Sequence, residues 1–355
     1  MAEAWIRGKS VPLEAAVAEA ASLIAASRLP VITGLGTDIA GSRAAIRLAQ
    51  HVGGVIDHMH SEALLRNLDV MREACMMTTT PTEAHVRADF LLLVGPGLIE
   101  AWPALPTTLF RERRTVWLCP EKAAKTANEH RNIGVVGDDP ADLPVMVAIL
   151  RARCAGRPVA KTPIAIETLD ALVVELKKSR FGVAVWSAAQ LDGLTIEMLC
   201  GLVNDLNEST RFSSLPLAAP DNAYAVQQVA AWMTGFPVRT GFCRGIPEHD
   251  PWRFEASRLI DSGEADCAIW ISAYGTRSPT WKRDVPLVAL TGSPDLLKAD
   301  VAITVGRPGI DHDAVDYLSA TATLAAVSAH KPSTAMSAAG VLGKIAAALP
   351  AARPC

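Results

Sequence analysis

Hydrophobic positions in this chain follow two rhythms that alternate. Short unbroken apolar runs such as Phe90–Val94 are separated by longer stretches in which apolar and small residues return every three or four positions. The first pattern belongs to a strand buried on both faces, the second to a helix lying on a sheet. The spacing predicts helices over Pro12–Ser27, Ala40–Val52 and Asp142–Arg153. It predicts strands over Val31–Thr33, Val55–His58, Phe90–Val94, Thr115–Leu118 and Gly134–Val136. Gly53-Gly54 supplies the stop for the second helix.

The second half repeats this order, with a helix over Thr168–Ser179 and a strand over Gly182–Trp186. Ser27-Arg28-Leu29-Pro30-Val31-Ile32 matches Ser179-Arg180-Phe181-Gly182-Val183-Ala184. Ala88-Asp89 followed by FLLLVGPG matches Ala265-Asp266 followed by CAIWISAYG. TVWLCP then matches PLVALTG at Pro286–Gly292, and NIGVVGDDP matches DVAITVGRP at Asp300–Pro308. The expected fold class is α/β: two open, mostly parallel-sheet domains related by internal duplication. Residues 1–157 form the first domain, Arg157–Pro163 the linker, and residues 164–355 the second, with a long 234–252 loop and a C-terminal helix. That loop is longer than an ordinary connection, which marks it for binding or covering something.

A length of 355 residues suits two domains, and 50% apolar residues can fill their cores. The net charge of -3 and the lack of a long basic stretch exclude an electrostatic case for nucleic acid. Arg111–Arg114 is expected to be a solvated helix end. The apolar stretch from Phe90 to Trp102 is broken by Gly95, Pro96, Gly97 and Glu100. It falls short of the roughly 20 residues a bilayer requires, so no membrane span is expected. The opening MAEAWIRGKS lacks the apolar run of a signal peptide, and the expected location is the cytoplasm. The seven cysteines lie at least 24 positions apart, with no CxxC. Zinc and iron–sulfur sites need closer thiolates, so Cys119 and Cys267 are expected in the core and no metal is expected.

Candidate chemistry is sparse. Gly34-Leu-Gly36-Thr37-Asp38-Ile39-Ala40-Gly41 lies between a strand and a helix, where N–H groups attract anions. The third glycine of a dinucleotide turn is replaced by Ile39, which favours a tight βα turn capped by Asp38. Asp57-His58-Met59-His60 puts two imidazoles on one strand face, but a metal would need further ligands such as His85 or Asp69. Asp311-His312-Asp313 reads as the start of a helix running on from Asp313. No GxSxG occurs. Cys75 and Cys243 lie in less apolar surroundings, and Arg239 and Arg244 flank Cys243 closely enough to favour its thiolate, although a plain loop thiol is the simpler reading.

The run from Pro30 to Met59, PVITGLGTDIAGSRAAIRLAQHVGGVIDHM, resembles the opening α/β segment of the formylmethanofuran dehydrogenase B subunits. Trp232-Met-Thr-Gly-Phe-Pro237, Gly241-Phe-Cys-Arg-Gly-Ile-Pro247 and Ser262-Gly-Glu-Ala-Asp266 are similar to later blocks of that family, in the same order. The similarity covers roughly Pro12 to Pro332. That family belongs to the pterin-dependent molybdenum and tungsten oxidoreductases. The resemblance implies a cysteine-bound iron–sulfur cluster and a metal held by Cys or selenocysteine just after the counterpart of Val55–Ser61. Here Ser61 is followed by Glu62, Ala63, Leu64 and Leu65, and no cysteine precedes Cys75.

A shortened, thiolate-free version is similar to the B subunits of formyltransferase/hydrolase complexes. That resemblance implies a non-catalytic subunit without cofactors. Its expected partners are an amidohydrolase-like subunit (A), a β-helical subunit (C) and a formyltransferase subunit (D). Together they would carry a formyl group from tetrahydromethanopterin through a methanofuran-type carrier to formate, in one-carbon metabolism. Remnants of the old pterin pocket are expected at Gly34, Gly36, Gly95, Gly97, Arg239, Arg244 and His249. The other readings are a free-standing nucleotide- or thiamine-diphosphate-binding enzyme and an active pterin-metal dehydrogenase.

Overall fold

The computed structural model describes residues 3–110, 113–120, 133–275, 277–293 and 298–350. The strands are β1 (Ala4–Ile6), β2 (Lys9–Val11), β3 (Pro30–Gly36), β4 (Val55–Ile56), β5 (Phe90–Val94), β6 (Arg114–Leu118), β7 (Ile133–Val136) and β8 (Gly182–Trp186). They continue with β9 (Phe212–Pro216), β10 (Thr240–Gly241), β11 (Glu248–His249), β12 (Cys267–Ser272), β13 (Leu287–Thr291), β14 (Val301–Thr304), β15 (Ala314–Leu318) and β16 (Thr323–Val327). The helices are α1 (Leu13–Ala26), α2 (Ile39–Val52), α3 (Ser61–Ala74), α4 (Pro81–Arg87), α5 (Leu98–Ala101) and α6 (Leu105–Leu109). Six more follow: α7 (Leu143–Cys154), α8 (Ile166–Lys178), α9 (Gly193–Leu206), α10 (Ala223–Thr234), α11 (Ala256–Asp261) and α12 (Ala338–Ala348). None of the described helices is long and apolar enough to cross a membrane.

The compact units are not the sequential halves 1–157 and 164–355. One unit comprises residues 1–61, 220–317 and 324–355; the other comprises 62–219 and 318–323. The first holds a sheet of order β11-β10-β4-β3-β12-β13-β14-β1-β2, the second a parallel sheet of order β7-β6-β5-β8-β9. The central strands β4-β3-β12-β13-β14 are parallel, whereas β10, β11, β1 and β2 are antiparallel additions.

The duplicated motif explains this division. Strands β3, β4, β12, β13 and β14 occupy the places that β8, β9, β5, β6 and β7 occupy in the other sheet. Each set of five repeated strands therefore takes two strands from one half of the chain and three from the other. A fully apolar strand needs a neighbour on each side and a helix layer on each face, and it finds them across the repeat. The expected linker is instead a surface connection between α7 and α8, with Val159 packed on the core of the second unit.

Alternation along the strands sets the cores. In the second unit Leu92, Val94, Val116, Leu118, Ala184 and Trp186 face one side, toward α7, α8 and α9. Leu91, Leu93, Trp117, Val183, Val185 and Leu215 face the other. In the first unit Val31, Val55, Ala268 and Trp270 pack on Leu259 and Ile260 of α11. At Gly34 the backbone has φ +77 and a Cβ would lie 2.5 Å from the Ile271 carbonyl oxygen, so β3 and β12 meet closely because this residue has no side chain.

Three local expectations differ from the structure. Segment 234–252 contains the β10–β11 hairpin rather than an unstructured loop. No helix starts at Asp313; the strand β15 begins at the next residue, Ala314, and the Asp313 carboxylate accepts the Ala329 N–H. In the Arg111–Arg114 cluster, residues 111 and 112 lie outside the described residues. Arg114 opens β6 and pairs with Glu175 at 2.6 Å, so this is a strand start and not a helix end.

Candidate functional site

In the first unit the chain leaves β3 through α2 toward β4, while β12 leads the opposite way to β13 and β14. The strand order reverses between β3 and β12. Ligands of open α/β sheets bind in the crevice at the carboxyl ends of such strands. Thr37 and Asp38 follow β3 there, Tyr274 follows β12, and His58–His60 follow β4.

The crevice is occupied by the chain's own Asp221-Asn222. Both residues are left-handed, with φ 58 and 59, a conformation that Asx side chains tolerate best among non-glycine residues. The Asn222 amide donates to the Thr37 carbonyl at 2.9 Å and to Asp316 at 3.2 Å, and accepts the Tyr317 N–H at 3.0 Å. Asp221 pairs with His60 at 3.0 Å and with Arg277 at 3.1 Å. Burial pushes the Asp221 carboxyl up, but the His60 hydrogen bond and the Arg277 charge outweigh it and hold the carboxyl below its usual range.

His58 is locked as a neutral tautomer. Its Nδ1 accepts the His60 N–H at 3.0 Å, so its proton sits on Nε2, facing the Asp221 carbonyl at 3.3 Å. Burial, then the neighbouring His60, lowers its pKa to about 3. Asp57 is pushed up to about 6 by burial, against the opposing charge of Arg239 at 3.7 Å. On the other wall the Tyr274 hydroxyl donates to Asp316. Burial, then the Asp316 charge, raises the Tyr274 pKa, and burial with the Asp38 charge raises that of Asp316.

These groups leave no cradle for phosphate. Asp38 caps α2 and accepts the Gly41 N–H at 2.9 Å, the donor an anion would take. Asp221 and Asp316 add two more carboxyl groups. The Gly34–Gly41 segment is the tight capped βα turn, as one of its two readings holds.

Of the seven expected pocket residues, Gly34 and Gly36 lie in β3, and Arg239, Arg244 and His249 belong to the same unit. Gly95 and Gly97 lie beyond β5 in the other unit, packed against Leu191 and Gln190. Arg239 is buried and engaged by the Ser61 hydroxyl at 3.1 Å and the Pro251 carbonyl at 2.7 Å. Arg244 is exposed and pairs with Glu248. His249 Nδ1 meets the Arg239 carbonyl at 2.9 Å. Both guanidiniums beside Cys243 are thus committed elsewhere. His85 bonds the Thr108 carbonyl, and it lies with Asp69 in the other unit. Among the described residues, no three His, Cys, Asp or Glu side chains gather to hold a metal. Sequence reading missed Asp221, Asn222, Tyr274 and Asp316. The one local signal was Pro220-Asp221-Asn222 ahead of a helix, a turn composition.

No protein-family model matches the chain. It is 34% identical over 320 residues to the B subunit of the formyltransferase/hydrolase complex Fhc of Methylorubrum extorquens, covering 86% of this chain and 85% of that protein. It is 27% identical over 346 residues to the B subunit of the tungsten-containing formylmethanofuran dehydrogenase 2 of Methanocaldococcus jannaschii, covering 87% of this chain and 77% of that protein. The X-ray structure of the complex FhcABCD from Methylorubrum extorquens with methylofuran contains a chain that superposes with TM-score 0.86. The identity there is 33%, over 97% of this chain and 98% of that one.

A thiolate-held tungsten does not fit the residues after Ser61. Leu64 and Leu65 are buried hydrocarbon, and Cys75 lies beyond the far end of α3, roughly 15–20 Å from Ala63 at helical rise. The chain belongs to the family of the formyltransferase/hydrolase complex B subunits, homologous to the B subunits of the formylmethanofuran dehydrogenases.

Proposed function

We propose that this chain is a non-catalytic subunit of a cytoplasmic formyltransferase/hydrolase complex. In this reading the formyl group passes from tetrahydromethanopterin through a methanofuran-type carrier to formate on the partner subunits. Those partners are amidohydrolase-like, β-helical and formyltransferase chains, and the subunit described here supports the amidohydrolase-like one.

The observation that carries the reading is the filled switch-point crevice. Asp221-Asn222 occupies the place where an α/β sheet of this topology binds its cofactor, and Asp38 takes the helix N–H that a phosphate would need. Hydrocarbon at Leu64 and Leu65 supports the same conclusion for the metal. The likeness to a chain solved within FhcABCD supports the assembly.

The test is reconstitution. Formate release from the formylated carrier is measured with the partner subunits alone and with this chain added. The expected result is that the partners retain measurable turnover, that this chain has none, and that adding it raises the yield of intact assembly. Tungsten or molybdenum bound stoichiometrically to the isolated chain, or formate-dependent dye reduction by it, overturns the reading.

A further inference from the structure

Two basic side chains converge on one carboxylate oxygen in the crevice of the first unit. His60 Nε2 lies 3.0 Å from Asp221 Oδ2, and Arg277 Nε lies 3.1 Å from the same oxygen. His60 follows β4, Arg277 follows β12, and Asp221 comes from the turn ahead of α10. Side-chain exposure rises from Asp221 (10%) through His60 (19%) to Arg277 (56%), so the carboxylate is the innermost of the three.

The basic pair does not depend on this carboxylate for its position. The His60 N–H donates to Nδ1 of His58, and the two rings lie 5.5 Å apart. The Arg277 carbonyl accepts the Nε1–H of Trp270 at 2.9 Å, and the Gly275 carbonyl accepts the Ser272 hydroxyl at 3.5 Å. Trp270 and Ser272 are buried in β12, so the loop that carries Arg277 is fastened to the sheet. Groups held before a ligand arrives are those of a preformed site. The carboxylate is brought there by a strained turn. Asp221 has φ 58 and Asn222 φ 59, a backbone region that L side chains rarely adopt. Such strain persists where the surrounding contacts overdetermine it.

We propose that His60 and Arg277 form a binding site for a small monocarboxylate, and that the Asp221 side chain is its built-in occupant. The chain closes its switch point with an internal ligand. Because this ligand is tethered, it excludes free carboxylates up to its effective concentration. The walls set the size. A Cβ at Gly36 would lie 3.1 Å from Met59 Cε and 3.4 Å from Asp221 Cβ, and a Cβ at Gly275 would lie 3.9 Å from Asp221 Oδ1. The space fits little beyond a methylene and a carboxylate, which is acetate. Charge sets the valence. The carboxyl groups of Asp38 and Asp316 line the same crevice, with Asp316 bonded to Asn222 at 3.2 Å, and they oppose a second negative charge such as that of phosphate. The site is a property of the chain itself, whatever assembly it joins.

The test uses the full-length chain with Asp221→Gly, which deletes the carboxylate and suits the left-handed turn. This variant should bind acetate with a Kd on the order of 10 mM. Its Tm should be about 2–4 °C higher in acetate at ten times that Kd than in chloride of equal ionic strength. Wild type should melt alike in the two salts. Adding Arg277→Met to Asp221→Gly should abolish the acetate effect. Asp221→Asn, which fills the place with an uncharged group of the same shape, should not respond either. An Asp221→Gly chain indifferent to acetate, or one that responds equally after Arg277→Met, overturns the site and leaves the assembly reading intact. A wild-type response equal to that of Asp221→Gly overturns the built-in occupancy. Equal stabilisation by phosphate overturns the choice of a monocarboxylate. If Asp221→Gly does not fold in chloride, its refolding yield decides: recovery in acetate supports the site, and no recovery overturns it.

Discussion

Asp266, one residue ahead of β12, accepts the backbone N–H of Leu29, which leads into β3, at 3.1 Å. It also takes the Arg28 N–H at 3.0 Å and the Ser27 hydroxyl at 2.5 Å. Asp89 does the same for Arg180 and Phe181, both at 3.0 Å, ahead of β8. In each sheet the Ala-Asp of one repeat clamps the Ser-Arg of the other. The matched sequence pairs are thus the fastening points of the strand exchange.

The Asp266 clamp should be visible in the pH dependence of stability. Burial opposes ionisation, but the hydrogen bonds from Ser27, Leu29 and Arg28 hold the carboxyl down to about 2, below its ordinary 3.8. A depressed carboxylate stabilises the fold above its unfolded pKa and loses that contribution as pH falls through the folded value. Asp266→Ala should therefore cost about 2 kcal/mol at neutral pH. Denaturant unfolding should show the two proteins converging as pH falls from about 4 toward about 2. A gap that persists unchanged at the acid end refutes the assignment.

The Asp57–Arg239 pair predicts the opposite slope. Both side chains are buried, and Asp57 is already raised to about 6. A raised carboxyl contributes fully below its unfolded pKa, and its contribution is lost as pH rises through the folded value. Arg239→Met removes the counter-charge and raises the Asp57 pKa further. The loss should reach about 3–5 kcal/mol near pH 8, where Asp57 must ionise unpaired, and shrink near pH 5. Urea unfolding at the two pH values checks it; equal losses at both would show that Arg239 acts through packing alone.

Asn222 separates backbone strain from side-chain bonding. Asn222→Gly relaxes the left-handed turn but loses the bonds to Thr37, Asp316 and Tyr317, and should cost about 1–3 kcal/mol. Asn222→Ala loses the same bonds and keeps the strain, a further penalty of about 1 kcal/mol. Thermal melts of both variants decide it. Alanine equal to glycine would mean the turn rearranges.

The chain's order alone determined the central strands, the helices that flank them, the α/β class and the duplication. Each of these is written in contiguous residues: unbroken apolar runs make strands such as Phe90–Val94, and repeated Ala-Asp and Ser-Arg steps mark the repeat. Tertiary structure decided which strands share a sheet. β3 and β12 lie more than two hundred residues apart, and their pairing depends on burial satisfied jointly by both halves, which no local pattern encodes. It also decided the fate of the crevice. Asp221 and Asn222 look like an ordinary turn in sequence, and only the folded chain brings them to Thr37, His60 and Asp316, beyond the carboxyl ends of β3 and β4.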